Sequence, residues 1–181
     1  TVLVANYHGL PSRAVTPLDG IRAAVSPRTR VLYTDGCRRT GTRTDGLDRD
    51  GNLSEALSVA ARAAVVVLCL GLDADIEGEQ GDASNSSASG DKVDLALPGL
   101  QQRLLEEVTA LGKPTVLVLL AGSPLDLSWA AAHVGAIVQA FYPGGEGGTA
   151  IADVLFGRHN PGGRLPITFP ASVEHLPPIT D

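Results

Sequence analysis

The sequence has no apolar run of the roughly 18 to 20 residues that a membrane span requires, so a membrane partner is not expected. It also has no cluster of lysine and arginine, and its net charge of -6 argues against a nucleic-acid partner. Methionine is absent, and residues 1–5 have the pattern of a strand that is already under way. We therefore expect this sequence to be a piece of a longer protein.

Cysteine is scarce, with Cys37 and Cys69 as its two occurrences. Cys69 lies within an apolar run, which predicts a small buried hydrophobic residue, and Cys37 lies in a turn-like stretch. Neither cysteine has the spacing of a metal site, and a bridge between the two remains open. The sequence therefore predicts no cysteine-based metal centre.

The composition, with 44% hydrophobic and 19% charged residues, predicts one domain with a substantial core. Short apolar runs rich in valine and leucine alternate with segments that have the periodicity of amphipathic helices. This order predicts an α/β fold in which helices cover both faces of a parallel sheet. The strand candidates are residues 1–5, 30–33, 65–70, 115–120, 136–141 and 165–169.

Three predicted helices have recognisable start signals. Thr16 followed by Pro17 is typical of an N-cap with proline at the first helical position. Asn52 with Glu55 has the spacing of a capping box, and Pro98 precedes a further amphipathic segment. These signals divide the chain into the strand and helix units that an α/β fold requires.

An acidic loop follows the apolar run of residues 65–70, at what would be the carboxyl end of a strand. In open α/β sheets this edge binds ligands, so carboxylates there are candidates for chemistry. The acidic side chains are those of Asp73, Asp75, Glu77, Glu79 and Asp82.

The start of this loop resembles a calcium-binding EF-hand loop, because Asp73, Asp75 and Glu77 alternate before Gly78. The twelfth position is Ser84, however, where a bidentate glutamate is required. The preceding apolar run also does not have the pattern of an entering helix. The sequence therefore disfavours a calcium site, and no metal is assigned to the loop.

General acid/base chemistry is a second interpretation of the acidic loop. A carboxyl group in a partly enclosed cleft, with like charges nearby, can stay protonated near neutral pH and donate to a leaving group. Glu77 and Glu79 are the candidates for this role, and solvated surface charge is the simpler alternative. His8 follows the first strand candidate and could line the same edge.

Two other functional classes are weaker. The glycine-rich turn of residues 144–148 matches no phosphate-binding pattern, and Glu146 within it would repel phosphate, so tight-turn geometry explains it better. The sequence has no Gly-x-Ser-x-Gly elbow for serine catalysis. A nucleotide-binding module remains an alternative to an enzyme.

Several motifs occur in a characteristic order along the chain. They are Asn6-Tyr7-His8-Gly9-x-Pro11, Thr16-Pro17-Leu18-x-Gly20-Ile21, Gly71-Leu72-Asp73, Ile76-Glu77-Gly78-Glu79, Gly90-Asp91-Lys92, Leu97-Pro98-Gly99-x-Gln101, Tyr142-Pro143-Gly144, Gly147-Gly148 and Asn160-Pro161-Gly162-Gly163-Arg164-Leu165-Pro166. Together they resemble the second domain of family 3 glycoside hydrolases, the β-glucosidases and β-xylosidases, and the resemblance covers essentially the whole chain in the right order.

This resemblance implies a three-layer αβα sandwich with a mostly parallel sheet of about six strands, formed by residues 1–181 as a single domain. It implies a (β/α)8 barrel domain that normally precedes the sandwich and carries the aspartate nucleophile. It further implies a retaining mechanism, in which two carboxyl groups lie roughly 5 to 5.5 Å apart and one of them protonates the leaving oxygen. The chain would supply one half of that pair.

Matching the family motif residue by residue places Glu77 at the acid/base position, with Glu79 as the second candidate. Tyr7 and His8 resemble the loop of family members that act on xylosides, and would line the substrate cleft. Asp91 and Lys92 are further substrate-binding candidates. Lys92 stands where the family usually has arginine, which removes a bidentate donor.

The resemblance thus implies one domain of a retaining, exo-acting β-glucosidase or β-xylosidase whose substrate is an oligosaccharide or aryl glycoside. Its predicted partner is the barrel domain of the same protein, and no cofactor is implied. By itself the chain is expected to be inactive. The resemblance implies an extracellular or periplasmic location. A non-catalytic carbohydrate- or nucleotide-binding α/β module is the alternative.

Overall fold

The computed structural model describes residues 3–6, 8–39, 52–78 and 92–178. Within them two helices come first, strands and helices then alternate, and a short 3-10 helix follows. In chain order these elements are α1 (Pro17–Ala24), α2 (Leu53–Ala61), β1 (Val66–Gly71), α3 (Gln101–Thr109), β2 (Thr115–Leu120), α4 (Ser128–His133), β3 (Ala136–Gln139), α5 (Gly147–Leu155) and the 3-10 helix Val173–His175.

The sheet is parallel and has the order β1-β2-β3. In its register Leu68 lies opposite Leu117, and Leu117 lies opposite Ile137. Helix α3 connects β1 to β2, and α4 connects β2 to β3, as parallel pairing requires. The carboxyl ends of all three strands therefore meet at one edge.

Helices cover both faces of this sheet, which confirms the predicted αβα arrangement. On one face α2, α3 and α4 pack against Leu68 and Leu117 in the larger part of the core. On the other face Ile151 of α5 packs against Val118 and Leu120, and α1 packs beside α5. Strand β2 is buried from both sides, which explains why its sequence is apolar after Thr115.

The predicted number of about six strands is wrong for the part of the chain that the structure describes, which has three. Among the described residues, no strand forms at residues 3–5, 30–33 or 165–169, although each of these stretches has a strand-like pattern. Leu165 and Ile167 are 51% and 52% exposed. Without a neighbouring strand, an apolar β-branched pattern does not form a ladder.

The two cysteines are both free thiols. Cys37 is half-buried, whereas Cys69 is exposed, so the prediction that Cys69 is buried is wrong. Cys69 lies on the face of β1 opposite to Leu68 and Leu70, and β1 is one of the two edge strands of the described sheet. An edge strand is covered less completely than a central one.

The helix signals are borne out in part. Thr16 caps α1 in a reciprocal capping box with Asp19, and Pro17 is the first helical residue as predicted. Asn52 precedes α2 but has a φ of 40° and no capping side-chain hydrogen bond, so its predicted capping box with Glu55 is wrong. In the described ranges no helix is long and apolar enough to cross a membrane.

Candidate functional site

Three loops converge at the carboxyl edge of the sheet, one from each strand. Glu77 lies in the loop after β1, Gly122 in the loop after β2, and Tyr142 in the loop after β3. The Tyr142 hydroxyl and the Gly122 backbone amide both donate to Oε2 of Glu77, the amide at 2.9 Å. No described residue donates to the other carboxylate oxygen, Oε1.

The loop that carries Glu77 is anchored by its first residues. The carbonyl oxygen of Asp73 accepts from the amides of Ile76 at 3.0 Å and Glu77 at 2.8 Å, which forms a single tight turn. The buried Ile76 side chain joins the core. The Asp73 carboxylate is itself buried, and its Oδ2 lies 2.7 Å from Nη1 of Arg39. The backbone of Glu77 is thus fixed to the sheet edge.

The strand end from which this loop leaves is held by Gln101, a buried residue of α3. Its Nε2 donates to the Gly71 carbonyl at 2.8 Å and to the Arg39 carbonyl at 3.0 Å, and its Oε1 accepts from the Gly71 amide at 2.7 Å. A Cβ on Gly71 would lie 2.0 Å from the Leu120 carbonyl oxygen, and the φ of Gly71 is +138°. Only glycine therefore fits at this position.

The loop after β3 contains an unusual backbone conformation. Phe141, directly before Tyr142, has a φ of 54°, a region that bulky residues seldom adopt. Gly122 also has no free space, since an added Cβ would lie 2.8 Å from Cε2 of Tyr142 and 3.2 Å from Oε2 of Glu77. The three groups around Oε2 are therefore closely packed.

The charges near the site come from Lys92 and the acidic loop. The half-buried Lys92 donates from Nζ to the Pro124 carbonyl. Burial lowers the pKa of Lys92, and the carboxylates of Glu77 and Asp94 oppose that shift. Burial, together with the hydrogen bond to Glu77, raises the pKa of Tyr142 far above its ordinary value. Tyr142 is therefore a neutral hydrogen-bond donor throughout the physiological pH range.

Two buried polar atoms near the same edge have no hydrogen-bond partner among the described residues. They are Oγ of Ser123, next to Gly122, and Oε1 of Gln139 at the end of β3. The amide nitrogen of Gln139 donates to the Ala121 carbonyl at 2.9 Å. Both unpartnered atoms can accept a hydrogen bond. They therefore add polar groups to the carboxyl edge of the sheet.

The structure places some of the predicted site residues but not all of them. Glu79, Tyr7 and Asp91 lie outside the described residues, so their predicted roles stay predictions. His8 is exposed, and its Nδ1 lies 2.8 Å from the carbonyl of its neighbour Gly9.

The N-terminal loop that contains His8 nevertheless adjoins the loop of Glu77. A Cβ on Gly78 would lie 3.3 Å from Nδ2 of Asn6. Among the predicted substrate-binding residues, Lys92 is the one that the described structure brings near Glu77. Asn6 therefore lies beside the loop of Glu77, and the predicted substrate-binding role of Lys92 stays a prediction.

Sequence reasoning assigned no role to Tyr142 or Gly122, although both contact Glu77. Each lies within three residues of the end of its strand, since β3 ends at Gln139 and β2 at Leu120. The rule that ligands bind outside the carboxyl ends of parallel strands could have selected both residues.

The glycine-rich turn before α5 uses its amides for packing. The Gly144 amide donates to the Leu3 carbonyl at 2.7 Å, and the Gly148 amide donates to the Val15 carbonyl at 2.9 Å. These donors are therefore occupied and do not form a phosphate cradle.

The first carboxylate of the EF-hand-like pattern, that of Asp73, forms an ion pair with Arg39. No cluster of three or more histidine, cysteine, aspartate or glutamate side chains with metal-binding geometry occurs in the part of the chain that the structure describes.

Comparison with known families gives a match over the whole chain. The profile described as "Glycosyl hydrolase family 3 C-terminal domain" matches residues 1–181. The chain is 42% identical over 178 residues to "Probable beta-D-xylosidase 7" of Arabidopsis thaliana, which covers 96% of this chain and 21% of that protein. It is 36% identical over 183 residues to "Periplasmic beta-glucosidase" of Salmonella typhimurium, covering 93% of this chain and 23% of that protein.

Solved structures give the same result. A β-glucosidase from Erythrobacter marinus superposes with a TM-score of 0.81 at 37% identity, covering 96% of this chain and 25% of that one. A family 3 exo-β-xylosidase in complex with a xylobiose aziridine probe gives a TM-score of 0.71 at 29% identity, covering 86% of this chain and 18% of that one. The chain spans about a fifth of the length of the curated relatives it matches.

Proposed function

The chain belongs to the glycosyl hydrolase family 3 C-terminal domain family, and from that premise we propose that it is the second domain of a retaining, exo-acting β-glycosidase. In this proposal residues 1–181 form one domain that contributes the acid/base glutamate and part of the substrate cleft. Its β-xylosidase and β-glucosidase relatives support this activity class.

One observation carries the assignment of the acid/base role. The Glu77 carboxylate lies at the carboxyl edge of a parallel sheet, and donors from the loops after β2 and β3 hold one of its oxygens. An acid/base catalyst must present a carboxyl oxygen in a defined position, because proton transfer depends on geometry first. Glu79 is the second candidate for this role.

A (β/α)8 barrel domain of the same protein supplies the nucleophile in this mechanism. Its aspartate attacks the anomeric carbon, the glycosidic C–O bond breaks, and the protonated carboxyl of Glu77 gives its proton to the leaving oxygen. In the second step the Glu77 carboxylate takes a proton from water, the oxygen of which attacks the anomeric carbon and releases the aspartate. The overall configuration is retained.

The substrate class follows from the relatives. A terminal β-linked xylose or glucose of an oligosaccharide or aryl glycoside fits the names of the similar enzymes. His8 and Lys92 would line the cleft from this domain, with Tyr7 and Asp91 as further candidates. The name of the Salmonella relative supports an extracytoplasmic location. No cofactor takes part in this mechanism.

The proposal is tested by Glu77→Gln and Glu79→Gln in the full-length enzyme, with Glu55→Gln, an exposed position on α2, as the matched control. Loss of the acid should lower kcat/KM for an alkyl glycoside by about 10²- to 10⁴-fold, and leave a dinitrophenyl glycoside within a few-fold. Glu77→Gln is expected to show this pattern. If Glu79→Gln shows it instead, the role passes to Glu79; if neither does, this loop does not supply the acid.

The isolated chain is expected to hydrolyse neither nitrophenyl β-xyloside nor nitrophenyl β-glucoside, because the nucleophile is on the barrel domain. Turnover by the chain alone would contradict the placement of the nucleophile on the barrel domain. The alternative function is a non-catalytic carbohydrate- or nucleotide-binding module. Calorimetric binding of a sugar, with full-length activity independent of both glutamates, would favour it.

A further inference from the structure

Both hydrogen bonds from described residues to the Glu77 side chain go to the same oxygen, Oε2. We propose that Tyr142 is a positioning residue for the acid/base step, because its hydroxyl and the Gly122 amide fix Oε2 and so make Oε1 the oxygen that transfers the proton. This inference rests on the proposed catalytic role of Glu77. It assigns Tyr142 no contact with the substrate.

The chemistry of a carboxylic acid supports this division between the two oxygens. In its protonated form one oxygen carries the proton and the other is a carbonyl oxygen that only accepts hydrogen bonds. Two donors directed at Oε2 favour the carbonyl form there and leave the proton on Oε1. The same contacts suit the ionised form, in which Oε1 accepts a proton from water. Oε2 therefore keeps its partners through both steps.

The hydroxyl of Tyr142 is suited to a constant role. Its pKa is raised by burial and by the hydrogen bond to Glu77, so that it remains protonated and continues to donate. It is therefore a fixed donor during turnover and does not exchange its own proton with the substrate.

The backbone on both sides of Glu77 Oε2 is arranged to hold these donors in place. Phe141 has a φ of 54°, a conformation that a bulky residue keeps only when its surroundings enforce it. At Gly122 any side chain would collide with Cε2 of Tyr142 at 2.8 Å. The site therefore accepts backbone strain and a glycine in order to bring both donors to one oxygen.

The test is Tyr142→Phe in the full-length enzyme, with Tyr33→Phe as the matched control. Tyr33 also donates to a carboxylate, Oδ1 of Asp35 at 2.5 Å, but that pair is exposed. For Tyr142→Phe, kcat/KM for an alkyl glycoside should fall by about 10- to 100-fold, the usual effect of losing a hydrogen bond to a charged group. A dinitrophenyl glycoside, which needs no acid assistance, should stay within about 3-fold.

The dependence on the leaving group separates positioning from a general structural effect. An equal loss with both substrates would mean that Tyr142 only supports the fold, and an unchanged alkyl glycoside rate would mean that it does not position Glu77. Either result overturns the inference. Gly122→Ala, which displaces the same contacts, should show the same selective loss as Tyr142→Phe.

Glu77→Gln measured in the same series distinguishes failure of the positioning role of Tyr142 from failure of the proposed catalytic role of Glu77. If Glu77→Gln is selectively impaired and Tyr142→Phe is not, the positioning role fails while the proposed function stands. If Glu77→Gln shows no dependence on the leaving group, the proposed role of Glu77 fails and the positioning role fails with it. Selective impairment of both variants, with Tyr33→Phe unchanged, is the result we expect.

Discussion

The side-chain amide of Gln101 pairs with both backbone polar groups of Gly71, accepting from its N–H at 2.7 Å and donating to its carbonyl at 2.8 Å. A neighbouring strand would make the same pair of contacts at the edge of β1 that faces away from β2 in the described sheet. Gln101 thereby completes the strand end from which the loop of Glu77 departs. The pair of Gln101 and Gly71 therefore connects helix α3 to the loop that carries Glu77.

Gln101→Ala should lower the free energy of unfolding by about 3 kcal/mol, because it leaves the buried Gly71 amide and carbonyl without partners. The matched control is Gln102→Ala on the same helix, where the side chain bonds only to Glu106. That change should cost less than about 0.5 kcal/mol. Urea unfolding of the isolated domain measures both. Equal costs would show that the Gly71 pairing contributes nothing.

Arg39→Ala should cost about 2 kcal/mol, because it leaves the Asp73 carboxylate, which is only 5% exposed, without its cation. The half-exposed position of Arg39 keeps the loss below that of a fully buried pair. Arg13→Ala is the control, since Arg13 and Glu146 are both exposed and 3.7 Å apart. It should change stability by less than about 0.5 kcal/mol. Thermal unfolding that ranks Arg13 above Arg39 would contradict this account.

Gly148→Ala should destabilise the domain by about 2 kcal/mol or more, because α1 and α5 are in backbone contact at this point. An added Cβ would lie 1.9 Å from the Thr16 carbonyl oxygen, and only separation of the helices relieves that contact. The better helix propensity of alanine offsets less than about 1 kcal/mol of this cost. Gly162→Ala, where nothing lies within 4 Å, is the control and should be close to neutral in urea unfolding.

Cys37 should react slowly with iodoacetamide in the native protein. Its thiol is half-buried, and burial raises its pKa, so less of the reactive thiolate is present at pH 8 than in an unfolded chain. The pKa of the Cys37 thiol is higher in the folded chain than in the unfolded chain. Its contribution to stability is therefore fully present below the pKa of the unfolded thiol, and it is lost as the pH rises through the pKa of the folded thiol. Cys69→Ser isolates the labelling of Cys37.

Without any reductant, the denatured wild-type chain should take up label at both cysteines, because both are free thiols. A native rate for Cys37 equal to that of the denatured chain would show that burial does not protect it. Failure of both thiols to react after denaturation would reveal a bridge. Mass spectrometry after quenching distinguishes these outcomes.

Sequence reasoning succeeded where the signal is local. Thr16 and Pro17 mark the start of α1 within one turn, and the apolar runs of β2 and β3 mark strands whatever they pair with. Position after β1 was enough to select the acidic loop, whereas the choice of Glu77 within it came from the family resemblance and stays a prediction. The predicted number of strands was wrong for the described residues. A strand forms only beside a partner strand, and a local sequence pattern does not record that partner.

The contacts that define the site are non-local, which is why they were missed. Tyr142 and Gly122 reach Glu77 across 65 and 45 residues of chain, and no periodicity records such a contact. Gln101 is a polar residue at a helix start. Its burial follows only from its contact with Gly71 at the end of β1. The role of each of these residues depends on the assembled sheet.

The most direct test of the central claim is the product that the full-length Glu77→Gln variant forms from a dinitrophenyl glycoside in the presence of azide. Removal of the general base should leave the glycosyl intermediate to accumulate, and azide, which needs no base, should attack it. We predict faster turnover with azide and a glycosyl azide of retained β configuration. Turnover at the wild-type rate without azide, or no glycosyl azide at any concentration, would contradict the assignment of Glu77 as the acid/base.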